Sequence, residues 1–109
     1  MSERHDLHAL GEELLAKAAE SEHGRASRAV IHGDRQRAVL MAFTPGGALG
    51  EHDSPPAATL QVLRGRALLR AGEQEWDLSA GELVAIPRER HSLEVRDEDA
   101  VVLLTVAVD

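Results

Sequence analysis

The sequence predicts an antiparallel all-β domain, a barrel or sandwich of short strands, preceded by one short α-helix. Two observations carry this. Short segments rich in Val, Ile, Leu and Ala recur after Gly24, separated by turn chemistry at Gly33-Asp34, Pro45-Gly46-Gly47, Ser54-Pro55-Pro56, Gly65, Ala71-Gly72 and Ala80-Gly81. The connections between them are too short for the helical crossovers that a parallel sheet requires, so pairing as hairpins is expected.

The helix comes first. From Asp6 to Glu20 one stripe gathers Leu7, Leu10, Leu14, Leu15 and Ala18, while Glu12, Glu13 and Lys17 fall on the other side. Asp6 suits the N-cap, where a short carboxylate accepts from the first free amides, and Gly24 lies just past the end. The stripe must cover apolar area, on its own barrel or across a dimer. Residues 1–25 are read as a helical arm and 26–109 as the β-barrel domain.

Nine strands are expected: Ala26 to His32, Arg37 to Thr44, Leu49 to Asp53, Ala58 to Arg64, Arg66 to Arg70, Gln74 to Leu78, Leu83 to Ile86, Ser92 to Arg96 and Val101 to Val108. Asp97, Glu98 and Asp99 read as a solvated turn between the last two.

Composition narrows the function classes. The 109 residues suit a single core. A formal charge of -7 repels phosphate backbones, and Phe43 and Trp76 are the only aromatic residues, so nucleic-acid binding is not expected. With no cysteine there is neither a disulfide nor a thiolate metal site. The longest apolar stretch, Ala100 to Val108, is too short to span a bilayer, and MSERHDLHAL lacks the basic end and apolar run of a secretory signal. A cytoplasmic protein without membrane contact is the expectation.

Candidate chemistry centres on two histidines. Strand alternation gives His52 and Ser54 one face and Glu51 and Asp53 the other. His91 follows Gly81-Glu-Leu-Val-Ala-Ile-Pro87-Arg-Glu-Arg, where a turn, a short strand and a pairing-breaking proline place it at the start of the next strand. Among other groups, Arg64, Arg66, Arg70, Arg88 and Arg90 could converge on an anion or be solvent-facing counter-charges. Trp76 reads as core or interface, and His5 and His8, one helical turn apart, as surface residues or a metal clip.

The stretch from Gly47 to His91 resembles the two linked motifs of the cupin superfamily. The first runs Gly47-Ala-Leu-Gly-Glu-His52-Asp-Ser54-Pro-Pro-Ala-Ala58-Thr-Leu-Gln-Val-Leu-Arg-Gly65; the second is carried by Gly81, Pro87 and His91, with one residue beyond the strict spacing before the histidine. The resemblance covers about residues 37 to 108. It implies a small jelly-roll barrel, commonly dimeric, with a metal or small-ligand pocket, and no single reaction.

The family's metal set is three histidines and a glutamate. Ser54 stands at the second-histidine position and Ala58 at the glutamate position, with Thr59 beside it, leaving His52 and His91 as metal ligands. Two imidazoles can hold zinc, iron, nickel or copper, with manganese a further candidate, but catalytic sites ordinarily add a third protein ligand. The expected ligand pocket comprises His52, Ser54, Thr59, Gln61 and His91; no catalytic residue is assigned.

Three functions stay open at this stage. The first is binding of a small molecule or metal ion in the barrel. The second is a metal- or histidine-dependent enzyme of dioxygenase, isomerase or epimerase type acting on a small oxygenated substrate. The third is a sensory or anti-sigma-like regulator, which should expose the leucine stripe that a binder or enzyme would bury. A homodimer is expected from the resemblance and from open strand edges.

Overall fold

The computed structural model describes residues 3–52 and 57–108, with His52 described as backbone only. One helix, α1 (Leu7–Glu20), is followed by β1 (Arg25–His32), β2 (Gln36–Phe43), β3 (Ala48–His52), β4 (Ala58–Arg64), β5 (Arg66–Ala71), β6 (Gln74–Ser79), β7 (Leu83–Ala85), β8 (His91–Glu94) and β9 (Ala100–Ala107). Each expected strand is present, shifted by at most two residues at an end. Among the described residues no helix is long and apolar enough to cross a membrane.

The strands form two antiparallel sheets, ordered β1-β2-β9-β4-β7 and β3-β8-β5-β6. Hairpins account for only two of the pairings, β1 with β2 and β5 with β6. The others join segments distant in the chain, such as β2 with β9 and β3 with β8. The expectation of hairpin pairing throughout is therefore corrected. The turns send the chain across to the other sheet: the amide of Gly46 donates to Val95 O at 2.8 Å and that of Val95 to Gly47 O at 2.9 Å, tying the Pro45–Gly47 turn to the end of β8. The result is the two-sheet jelly roll, its sheets facing one another without a continuous ladder between them among the described residues.

Two apolar cores result. Between the sheets lie Phe43, Val62, Leu69, Val95 and Val102, each at most 1% exposed. Trp76 is partly buried and packs against this cluster from β6. The second core joins α1 to the outer face of the five-stranded sheet: Leu10, Leu14 and Leu15 meet Val30, Ala38, Leu40, Ala42 and Val101. The Asp6 carboxylate caps the helix, accepting from the amides of His8 and Ala9 at 3.1 Å each. Gly11 allows close approach, since a β-carbon there would stand 3.3 Å from Val101 Cγ1. The leucine stripe is thus buried on its own sheet.

Candidate functional site

Among the described residues the interior is apolar with one exception. His91, the first residue of β8, is 4% exposed and is the one polar or charged side chain buried to core level among the described residues. Its Nδ1 lies 3.1 Å from the carbonyl oxygen of Glu89. A carbonyl only accepts, so Nδ1 carries the proton and donates.

Around the imidazole, Met41, Leu49, Leu60, Leu69, Ile86, Leu93 and Leu104 enclose a cavity of about 20 Å³. That is room for about one water-sized group. Its walls come from both sheets, so the imidazole sits between them and not at either outer surface.

The local backbone explains how β3 meets this site. Leu49 pairs with Leu93 and His52 with His91, so three steps along β3 match two along β8, a β-bulge of one residue. The bulge does not turn Glu51 inward. Its side chain is 67% exposed and pairs with Arg90, whose Nε donates to Oε1 at 3.0 Å and whose Nη2 donates to Glu51 O at 3.3 Å. This pair fastens the segment leading into His91 onto β3.

Thr59 and Gln61 are not brought to His91. Leu60 and Val62 of β4 belong to the core between the sheets, so alternation places Thr59 and Gln61 on the outer face, opposite Thr105 and Leu103 of β9. Their expected place in the pocket is corrected for that reason; the apolar pair Leu60 and Val62 was the sequence signal that could have shown it. Ser54 and Asp53 lie outside the described residues, as does the side chain of His52. The residues that sequence reasoning missed are the apolar walls Leu69, Ile86 and Leu104, which reach the cavity from strands paired only in the folded chain.

The arginines do not converge. Arg64 pairs with Glu12 of the helix, Arg66 with Asp77 at 3.0 Å, and Arg70 with Glu75 at 2.6 Å and with Glu94 at 3.2 Å. All are on the surface, and the Asp77 carboxylate together with Glu98 and Glu82 raises the pKa of Arg66. His5 meets Glu3 at 3.2 Å and is a surface residue.

Among the described residues the donor set does not fit a catalytic metal. No group of three or more His, Asp or Glu side chains capable of holding an ion exists among the described residues. Ala58 stands where a ligating glutamate would, and Glu51 is engaged with Arg90. His91 alone of the described donors lines the cavity.

Residues 39–107 match the family model for the cupin domain. No curated protein matches the chain. Several solved structures share the fold. The protein TT1209 from Thermus thermophilus is similar with a TM-score of 0.78 and 24% identity, over 97% of this chain and 98% of that one. A cupin superfamily protein from Desulfitobacterium hafniense gives 0.73 and 21%, over 82% of each chain. The DMSP lyase DddQ from Ruegeria pomeroyi gives 0.72 and 20%, over 84% of this chain and 50% of the lyase. Identities this low carry the fold alone, but the match over residues 39–107 takes in more than half of the sequence, and the chain belongs to the cupin domain family.

Proposed function

We propose that this cupin binds a small organic molecule through the barrel interior, with the imidazoles of His52 and His91 as its polar centre and Ser54 as a supporting hydroxyl. The single observation that carries the reading is His91: a buried imidazole amid seven apolar side chains, its Nδ1 proton committed to Glu89 O. Burying a polar ring among apolar walls is costly, and ligand pockets characteristically combine such walls with few polar groups. The register that pairs His52 with His91 supports including both, because directly opposed residues of an antiparallel ladder share a face.

The described walls leave space for a ligand's head group and not for its body. A hydroxyl, phenol or carboxylic acid is the head group that suits an imidazole, which can share a hydrogen bond with it or form a charge-assisted pair. The ligand class is accordingly a compact, largely apolar molecule with one such group. Burial of the helical stripe on its own sheet favours a binder over a regulator that recruits partners through this helix.

Metal binding at His52 and His91 is the second reading, resting on the two paired positions alone. Elemental analysis separates the two. Protein purified without a metal-affinity tag, after growth with iron, zinc, nickel, copper and manganese, should carry well below one ion per chain. Near-stoichiometric metal that is lost in both His52→Ala and His91→Ala would replace the organic ligand with an ion as the occupant of this site.

A further inference from the structure

Of the described residues that wall the cavity around His91, all but Ile86 belong to strands. Ile86 and His91 are the two ends of one connection, in which the chain leaves β7 of the five-stranded sheet and enters β8 of the four-stranded sheet. The connection therefore closes the interior at one end, carrying an apolar wall at its start and leading into the polar group at its finish. Little backbone pairing holds it. β7 is three residues long and, among the described residues, is paired only with β4. Residues 86–90 lie in no strand, and Arg88, Glu89 and Arg90 are exposed.

Three contacts among the described residues seat it. The amide of Ile86 donates to Ala58 O at 2.9 Å. The Glu89 carboxylate rests over the turn between β5 and β6, where a β-carbon on Gly72 would stand 2.6 Å from Oε2. Arg90 grips β3 through both the carboxylate and the main-chain carbonyl of Glu51. That ion pair is exposed, and exposed pairs hold a segment only weakly. Leu69 and Leu104, by contrast, lie on strands paired on both sides and yield only when a sheet opens. A cavity of about 20 Å³ admits nothing much larger than a water molecule. An organic ligand therefore needs one wall to give way, and residues 86–90 are the part of the wall held least.

We infer that residues 86–90 are the gate of the interior and that the Glu51–Arg90 pair is its latch. Opening hinges at His91, whose backbone stays paired with β3 and β5, so Ile86 withdraws while the imidazole remains to meet the ligand. The use of the gate by a ligand rests on the binding reading above; its opening does not. A ligand whose body needs the space vacated by Ile86 selects the open form. Loosening the latch then raises affinity by the same factor as it raises the open population.

Amide hydrogen exchange of the ligand-free protein tests the gate. The Ile86 amide is the reporter, because opening frees it from Ala58 O, and the amides of β2 and β9 report general unfolding. Glu51→Gln accelerates exchange at Ile86 about fivefold, and Arg90→Gln, which removes both bonds of the latch, at least as much. The double variant exchanges no faster than Arg90→Gln, since the two residues act as one pair, while β2 and β9 stay within about twofold of the parent. Exchange at Ile86 unchanged in both single variants overturns the inference, and so does an equal acceleration in β2 and β9. Calorimetric titration with benzoate, hexanoate and phenol follows on the same proteins. A probe that binds the parent binds Glu51→Gln about fivefold more tightly; equal affinity overturns the gate as the ligand's route. Failure of all three probes to bind any variant would sink the ligand reading, with the gate still decided by exchange.

Discussion

Replacing Gly65 by alanine is expected to destabilise the protein by at least about 3 kcal/mol, lowering Tm by roughly 12 °C or more for a domain of this size. Gly65 is the hinge at which the chain leaves β4 in one sheet and enters β5 in the other. Its φ of +76° lies in the left-handed region, where a β-carbon costs about 1–2 kcal/mol. A far larger obstacle is the neighbouring strand entry: a β-carbon would stand 2.0 Å from Asp99 O and 3.1 Å from Ala100 Cα, both backbone atoms that cannot rotate away. Gly81 separates the two effects. It has a φ of +94° but nothing within 4 Å of an added β-carbon, so Gly81→Ala should cost only the conformational penalty of about 1–2 kcal/mol. Thermal unfolding of the two variants at one protein concentration checks this; equal losses would refute the contact with Asp99 as the reason for glycine at position 65.

His91→Leu is expected to abolish ligand binding while leaving stability within about 1 kcal/mol of the parent, or raising it. The imidazole is surrounded by Leu49, Leu60, Leu69 and Leu93, and a leucine of similar bulk suits those walls. The Glu89 carbonyl that would lose its donor belongs to an exposed residue and can be hydrated instead. A histidine kept for packing would behave in the opposite way, its loss costing stability with no change in what the protein retains. Mass spectrometry of small molecules released on denaturation, alongside thermal unfolding of the same samples, distinguishes the two outcomes.

The strands were legible because each is bounded by residues with their own backbone preferences, as at Gly33-Asp34 and Ala71-Gly72, and because the leucines of α1 recur at the helical period. Partner choice was not. Period-two alternation tells which face a residue takes but not that Leu40 will lie opposite Leu103, a contact decided by the packing of both sheets. The site shows the same division. His91 could be placed from Gly81 and Pro87, yet its relation to β3 depends on a bulge between Leu49 and His52 that no local pattern announces. Thr59 and Gln61 were drawn toward the pocket by motif position, whereas the apolar Leu60 and Val62 beside them fix the strand's inward face.

The ring nitrogens of His91 give the most direct test of the central claim, that this imidazole receives the head group of a small, largely apolar ligand. Long-range proton–nitrogen correlation spectra of labelled protein would be recorded during titration with hexanoate, benzoate and phenol. A saturable change at the His91 Nε2 resonance with at least one probe, absent at His5, His8 and His32, is the predicted result. No change at His91 with any of the three, or equal changes at all of these histidines, would contradict it.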